Sequence, residues 1–321
     1  MNRIKSVVNK LFEINSIGII IVYILVFGFL SIACPNFYKI SNIMVSIRQA
    51  VYTVIVGMGM CFVISMGGID LSVGSIVGIS GMLSAMFILD GMNIYLAILL
   101  VVLIGAAIGL VNGFITTKMK IPYFIGTLAT MQILRGLIYV KTKGVPLYGV
   151  GYKEFTIFGQ GYAGIVPIPI IISIVIVAIC YYLFNKTKFG RYTVSIGSNE
   201  DAAKLVGIGI NKIKILVFVL SGILCALAGI ILCARSEAAV PDAGSGYEMD
   251  AIAACVIGGT SMSGGKGSII GTVFGAILMA TIKNGLSILN VNTFWHQVVI
   301  GLFIIAAVSF DGLTSARRRN K

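Results

Sequence analysis

Residues 94–116 read IYLAILLVVLIGAAIGLVNGFIT, an apolar run that contains no charged side chain. A helix needs about 20 apolar residues to cross the hydrocarbon core of a membrane, so this stretch is long enough to do so. Similar runs occur along the whole chain. They predict about ten membrane-spanning helices, near residues 16–34, 50–66, 72–90, 94–116, 121–140, 164–184, 213–234, 250–262, 268–289 and 295–311.

The composition of the 321-residue chain supports this interpretation. Hydrophobic residues make up 58% of the chain and charged residues only 11%, whereas soluble domains carry about 25% charged residues. A soluble enzyme or a soluble nucleic-acid-binding protein is therefore excluded as a description of the whole chain. We expect an all-α polytopic membrane protein in which residues 1–321 form a single transmembrane domain.

The net charge of +13 is explained by where lysine and arginine lie. If the N-terminus is cytoplasmic and ten helices alternate in direction, most of the 24 Lys and Arg residues fall in cytoplasmic loops and tails. Loops on the cytoplasmic side of membrane proteins carry an excess of these two residue types. We therefore expect both termini to lie in the cytoplasm.

Glycines recur at four-residue spacing in two of the predicted spans. Gly105, Gly109 and Gly113 lie in the fourth span, and Gly271 and Gly275 lie in the ninth. Small residues at this spacing let two membrane helices approach closely. Packing within one subunit is the first expectation, and a contact between two copies of the chain is the alternative.

Two glycine-rich breaks resemble one another, GGIDLSVGSIVG at residues 67–78 and GGTSMSGGKGSIIG at residues 258–271. Paired breaks of this kind are typical of transporters built from internal repeats. The second break departs from the phosphate-binding pattern G-x-x-x-x-G-K-[ST], because Thr260 replaces its first glycine and Gly267 its Ser or Thr. We expect the chain itself to bind no nucleotide, metal or other cofactor.

Polar residues inside or beside the spans are candidates for a translocation pathway or its gating, because placing them in lipid is unfavourable. Asp70 has two interpretations: it is the N-cap of the third span, with a carboxylate that accepts hydrogen bonds from the amides around Ser72 and Val73, or it takes part in gating. Arg135 is expected to pair with an acid or with carbonyl groups between helices. Lys283 is expected to extend to the external interface. The pathway candidates are Asp70, Ser72, Asn112, Arg135 and Asn284.

One stretch between the sixth and seventh spans, SNEDAAKLVG at residues 198–207, predicts a short helix. Ser198 and Asp201 resemble a capping box, and the acidic residues suit the positive end of the helix dipole. Gly207 suits a left-handed helix end. We expect a helix of about eight residues, either as simple loop structure or as a docking element for a soluble partner.

Four motifs occur in an order that resembles bacterial sugar permeases of the ribose, xylose and galactose class. They are GIDLSVGS at residues 68–75, TKFGRY and IGSNE within 187–200, GYEMDAIAA at 246–254 and GGTS at 258–261. The resemblance runs from about residue 35 to residue 311. Ser198 and Met249 depart from the usual Gly and Leu of that family.

The resemblance implies the permease subunit of an ATP-binding-cassette importer in the bacterial inner membrane, carrying ribose or a related pentose or hexose. Such a subunit is not an enzyme: it pairs with a second permease, identical or not, and with ATPase subunits that hold ATP and Mg²⁺. A sugar-binding protein delivers the sugar from outside. The alternative is an ion-coupled secondary transporter of a small polar solute. The resemblance also implies that the 198–207 helix contacts the ATPase, with coupling residues Gly190, Arg191, Gly197, Asn199, Glu200, Asp201 and Lys204.

Overall fold

The computed structural model describes residues 15–302 and residue 305, and helices make up most of it. The helices are α1 (Asn15–Ala33), α2 (Ile40–Ser65), α3 (Val73–Leu89), α4 (Ile94–Thr117), α5 (Tyr123–Thr142), α6 (Lys153–Gln160), α7 (Ile168–Lys186), α8 (Lys188–Ser198), α9 (Glu200–Leu205), α10 (Ile210–Ser236), α11 (Tyr247–Ile257) and α12 (Ile269–Ile288). Residues 293–302 are also helical.

The fold is helical as expected, and two short antiparallel strand pairs accompany the helices in the described residues. The strand β1 (Leu147–Tyr148) pairs with β4 (Ala238–Ala239), and β2 (Tyr162–Ala163) pairs with β3 (Val166–Pro167). The first pair joins the segment after α5 to the segment after α10. Each strand has only two residues, so the pairs connect loops and do not form a separate layer.

Six helices in the described part of the chain are long and apolar enough to cross a membrane: α2, α4, α5, α7, α10 and α12. The prediction of a helical multi-pass membrane fold is therefore confirmed, whereas the number of ten spans stays a prediction. The helix α3 and the apolar part of α1 (Ile21–Ala33) are shorter. The predicted span at 250–262 is replaced by α11, which ends at Ile257. The predicted tenth span at 295–311 lies partly outside the described residues.

The helix α2 lies at the centre of the bundle. Every residue from Ala50 to Ser65 is buried, on all sides of the helix. A helix that is apolar and buried all round contacts other helices instead of lipid or water. By contrast, α4, α5 and α7 each turn an apolar face outwards, as Leu103, Ile133 and Ile174 show by their exposure.

The glycine face of α4 packs against α10. A Cβ atom added to Gly105 would lie 2.6 Å from the Ala226 Cβ, and one added to Gly109 would overlap the backbone carbonyl of Phe218. Gly113 makes a similar contact one turn further along α4. The expected packing within one subunit is confirmed, because these glycines contact a helix of the same chain.

The helices α11 and α12 form a second closely packed pair. A Cβ atom on Gly275 would overlap the Ala254 carbonyl, and Gly271 makes a similar contact. This packing brings the Lys283 ammonium group to the buried Asp250 carboxylate, and the two form an ion pair. The expectation that Lys283 extends to the membrane interface is therefore wrong, because a buried carboxylate on the neighbouring helix is within its reach.

The variants Gly109→Ala and Gly136→Ala test the glycine face with the same chemical change at two sites. At Gly109 the added methyl group overlaps the α10 backbone, so we expect a loss of about 1–3 kcal/mol and a lower unfolding temperature in detergent. At Gly136 nothing lies within 4 Å of an added Cβ atom, so the higher helix propensity of alanine leaves stability unchanged or increases it. Equal unfolding temperatures for the two variants would contradict the packing role of the glycine face.

Candidate functional site

The helices α8 and α9 follow α7 and lie outside the candidate spans. The buried side of α8 consists of Gly190, Thr193 and Ile196. Asn199 has an extended backbone, with φ of −163°, and separates the two helices. Its side-chain oxygen accepts a hydrogen bond from the Ala202 amide at 2.9 Å, so Asn199 caps α9. Residues 188–206 are called the α8–α9 segment below.

The structure corrects the predicted 198–207 helix in two respects. The cap is Asn199 and not Ser198, because Ser198 is the last residue of α8 and its hydroxyl donates to the Val194 carbonyl at 3.0 Å. The helix α9 also has six residues, fewer than expected. The left-handed backbone at Gly207 is confirmed, with φ of +82°.

The end of α8 meets both glycine-rich breaks at one point. A Cβ atom on Gly197 would overlap the Ser65 carbonyl oxygen and would lie 2.6 Å from the Gly265 nitrogen. One on Gly264 would lie 2.9 Å from the Gly67 nitrogen. These four glycines are called the glycine junction. The contacts at Gly197 and Gly264 therefore join backbone to backbone, with no side chain between α8 and the two breaks.

The charged side chains of the α8–α9 segment fall into two groups. Glu200 forms an ion pair with Lys214 of α10, with 2.7 Å between its Oε2 and the lysine Nζ. Lys188, Arg191, Asp201 and Lys204 are exposed, and no ion pair involves them within residues 15–302. The second group is therefore available to a partner.

Two apolar side chains at the end of α9 are also exposed. Leu205 is 88% exposed and Val206 is 76% exposed. They lie on a segment outside the candidate spans, next to the unpaired charges of Asp201 and Lys204. This apolar pair was not predicted from the sequence, because two residues are too few to show the hydrophobic periodicity that distinguishes a buried side from an exposed one.

A cavity of about 690 Å³ lies between α9, the loop before α5 and the start of α10. Its lining includes more lysine than acidic side chains. Basic groups that line a concave surface attract anionic groups from a partner. The charged and aromatic lining residues are Lys120, Tyr123, Glu200, Lys204, Lys212 and Lys214.

The first glycine-rich break carries Asp70, which is buried with only 1% exposure. Its Oδ1 accepts hydrogen bonds from the Ser72 amide at 3.0 Å and from the Ser72 hydroxyl at 2.6 Å. Its Oδ2 accepts from the Ser221 hydroxyl of α10 at 3.2 Å. The side-chain nitrogen of Asn112 donates to the Ser72 hydroxyl at 2.8 Å, and its oxygen accepts from Thr130 at 2.6 Å. The hydrogen bond expected from the Ser72 amide is therefore present within a larger network, but the N-cap of α3 is Ser72 and not Asp70, because α3 begins only at Val73.

Thr127 of α5 holds the same loop from another side. Its hydroxyl accepts a hydrogen bond from the Leu71 amide at 3.1 Å and lies 3.3 Å from the Ile69 carbonyl oxygen. Residues 69–72 are called the Asp70 loop. Three helices, α4, α5 and α10, supply side chains that bind this loop. Sequence reasoning missed the serine and threonine contributors, because these residues commonly bond to the carbonyl groups of their own helix.

The remaining pathway candidates lie elsewhere. The guanidinium group of Arg135 donates to the carbonyl groups of Pro241 at 2.9 Å and Ala243 at 3.0 Å, which confirms the expected carbonyl partners. The amide of Asn284 donates to the Asn42 side chain at 2.8 Å and so joins α12 to α2. The structure thus brings together three of the five candidates: Asp70, Ser72 and Asn112.

The sequence of this chain is similar to those of known transport permeases. The family model described as "Branched-chain amino acid transport system / permease component" matches residues 42–308. The ribose import permease protein RbsC of Bacillus subtilis is 45% identical over 94% of this chain and 92% of that protein. RbsC of Escherichia coli K12 is 41% identical over 91% and 92% of the two chains. The D-allose transport system permease protein AlsC of Escherichia coli K12 is 39% identical over 92% and 90%. No solved structure matches the chain.

The variants Asp70→Ala and Asp70→Asn test the network around the Asp70 loop. Alanine leaves the Ser72 amide and two hydroxyl groups without their acceptor, and a buried unpaired group costs about 1–3 kcal/mol. We therefore expect a clearly lower unfolding temperature for Asp70→Ala. Asparagine keeps one acceptor oxygen and the shape of the side chain, so its loss is expected to be smaller.

Thermal unfolding of the purified variants measures this difference. Ser221→Ala removes a single hydrogen bond to Asp70, so it is the control, with an unfolding temperature expected between those of the wild type and Asp70→Ala. An unchanged unfolding temperature for Asp70→Ala would contradict the network. Uptake by the same variants separates the two interpretations of Asp70. Normal uptake at lower stability supports a purely structural role, and lost uptake at normal membrane levels supports gating.

Proposed function

This chain belongs to the permease-component family of branched-chain amino acid transport systems, and from that membership we propose that it forms the membrane pathway of an ATP-driven importer of a monosaccharide. It is a permease subunit and a multi-pass protein of the inner membrane. Family membership decides against the ion-coupled secondary transporter. The observation that carries the proposal is the match over more than nine-tenths of the chain to permeases named for ribose.

Ribose is the proposed sugar, with related pentoses and hexoses as the alternatives. The family description names branched-chain amino acids. The similar permeases, however, are named for ribose, D-allose and L-arabinose. Ribose import permeases reach 45% identity, the D-allose permease 39% and the L-arabinose permease 38%. This order favours ribose.

The proposed energy source is an ATPase on separate chains, which hold ATP and Mg²⁺, so that this chain binds no cofactor and catalyses no reaction. The α8–α9 segment supports this assignment through its exposed Leu205 and Val206 and through four charged residues without an ion pair. An exposed apolar pair with charged residues around it is a common arrangement at protein interfaces. The coupling residues are those predicted above: Gly190, Arg191, Gly197, Asn199, Glu200, Asp201 and Lys204.

The proposed topology has ten spans and places both termini and the α8–α9 segment in the cytoplasm. Ser65, Gly197 and Gly265 meet at the glycine junction, so the ends of α2 and α8 and the second glycine-rich break share one side of the bundle. Lys188, Arg191 and the basic C-terminal tail fall on that side if the spans alternate. An excess of positive loops supports the cytoplasmic assignment.

The proposed assembly contains two permease copies, identical or not, and an extracytoplasmic sugar-binding protein. Gln132, in the middle of α5, supports the pairing. Its side chain is exposed in a helix that is otherwise apolar on that face. An amide that faces hydrocarbon without a hydrogen-bond partner is unfavourable. A second permease placed against α5 would cover Gln132 and border the sugar pathway.

In the proposed mechanism, ATP-driven movement of the ATPase displaces the α8–α9 segment. The glycine junction transmits this displacement to both glycine-rich breaks, and the Asp70 loop changes its contacts with α4, α5 and α10. The pathway or gating residues are proposed to be Asp70, Ser72, Asn112, Arg135 and Asn284. Arg135 would act by holding the segment that contains Pro241 and Ala243.

Uptake of labelled ribose tests the proposed substrate. The chain is expressed with its proposed ATPase and binding-protein partners, in cells that lack their own ribose importer. We expect uptake that stops when ATP is depleted and that unlabelled ribose competes away at lower concentration than allose, arabinose or leucine. Stronger competition by leucine, or uptake that continues without ATP, would contradict the proposal.

Substitution of Leu205 by glutamate tests the proposed docking surface. Loss of an apolar contact at the centre of an interface costs about 2 kcal/mol, or about 30-fold in affinity. We therefore expect Leu205→Glu to copurify with far less ATPase. Ile165 is also 88% exposed but lies between β2 and β3, on the proposed external side, so Ile165→Glu is the matched control. Equal ATPase recovery with the two variants would contradict the assignment.

A further inference from the structure

We propose that Lys214 is a positioning residue that links α9 to the Asp70 loop, so that movement of the α8–α9 segment reaches that loop through the side chain of Lys214. This inference rests on the proposed function, since it concerns how an ATPase bound to the segment changes the permease. Neither the family match nor the similar permeases assign a role to this residue. Its location at the start of α10 places it between the segment and the loop.

Lys214 joins three elements through one ammonium group. Its Nζ lies 2.7 Å from the Glu200 Oε2 of α9. The same Nζ lies 5.4 Å from the centre of the Tyr123 ring, at the start of α5. A cation at this distance over an aromatic face is attracted to it. Lys214 itself belongs to α10, so α5, α9 and α10 meet at its ammonium group.

The burial of Lys214 makes this link specific. Its side chain is only 10% exposed, whereas that of Glu200 is 53% exposed. An exposed ion pair fixes little, because both side chains move and water screens their charges. A lysine that is mostly buried must keep a partner, since an unpaired charge in such a place is strongly unfavourable. Glu200 therefore cannot move away from Lys214 without exposing or stranding the ammonium group.

The helices α5 and α10, which meet at Lys214, also bind the Asp70 loop. On α10, Ser221 lies two turns after Lys214, and its hydroxyl donates to Asp70 at 3.2 Å. On α5, Thr127 lies one turn after Tyr123, and it accepts a hydrogen bond from the Leu71 amide at 3.1 Å. Each helix therefore takes part in the Lys214 contact near its start and binds the Asp70 loop one or two turns later.

A further contact couples these two helices between the lysine and the loop. The rings of Tyr123 and Phe218 lie 6.0 Å apart, and Phe218 is one turn after Lys214 on α10. Aromatic rings at this separation attract one another. The starts of α5 and α10 therefore move together when α9 pulls on Lys214. The route through α9 and Lys214 is separate from the glycine junction, to which α8 contributes Gly197.

The test uses the complete complex, with the ATPase and the binding protein, reconstituted in vesicles. The ratio of ribose transported to ATP hydrolysed is measured for Lys214→Met, for Lys214→Arg and for Lys118→Met. Lys118 is an exposed lysine that follows α4, outside the cavity lining and without an ion pair in the described residues, so it is the control. We expect Lys214→Met to lower the ratio at least about fivefold, Lys214→Arg to keep most of it, and Lys118→Met to leave it unchanged.

Glu200→Gln and the double variant Glu200→Gln/Lys214→Met complete a double-mutant cycle. If the two residues act as one link, the double variant loses no more transport per ATP than Lys214→Met alone. Additive losses would overturn the inference. So would a loss in Lys214→Met that matches the loss in Lys118→Met, or one that parallels a lower unfolding temperature and disappears on cooling.

Two further measurements distinguish failure of this inference from failure of the proposed function. ATPase copurification with Lys214→Met is expected to stay within about twofold of the wild-type level, because the exposed Leu205 surface is unchanged. A loss of copurification that accounts for the whole effect would show that Lys214 supports docking, which overturns the inference. Absence of ATP-dependent ribose transport in the wild-type complex would instead overturn the proposed function.

Discussion

Direct contact between backbones is the interaction on which the rest of this bundle depends. Lipid tails are as apolar as leucine, so burial of apolar side chains does not bring membrane helices together as it does in water. Glycine removes the side chain and lets two helices come close enough for many dispersion contacts. The glycines of α4 do this against α10, those of α12 do it against α11, and the glycine junction does it where α8 meets both breaks. No flexible side chain therefore separates these surfaces.

The interruption between α2 and α3 creates a second requirement. Backbone groups that leave a helix inside a membrane protein must find partners within the protein. Here the Asp70 loop is bound by polar side chains from three helices, so a short break fixes the relative position of α4, α5 and α10. The Asp70 carboxylate is held by neutral donors alone among the described residues. Any rearrangement of these helices must therefore exchange these hydrogen bonds for others.

Local patterns in the sequence predicted the features that depend on neighbouring residues, and those that depend on distant residues were missed. The apolar runs predicted the long helices, the spacing of Gly105 and Gly109 predicted a packing face, and Gly207 predicted a helix end. The helix α8 was not predicted, because its two glycines lower helix propensity and packing against the bundle outweighs that effect. The wrong cap followed from this omission. The partners of Lys283 and Lys214 come from other helices, so no single stretch of sequence contains them.

The length of α9 has a consequence for its own order. Isolated helices shorter than about 12 residues are barely stable in water, and α9 has six. It is held by the Asn199 cap and the Glu200–Lys214 pair at its start, and it ends before the left-handed turn at Gly207. Its amides are therefore expected to exchange with solvent through local opening far more readily than those of α10. For a partner that binds only the helical form, the apparent affinity is the intrinsic affinity multiplied by the fraction of time that α9 is helical. The affinity of such a partner would thus depend partly on the folding equilibrium of one and a half helical turns.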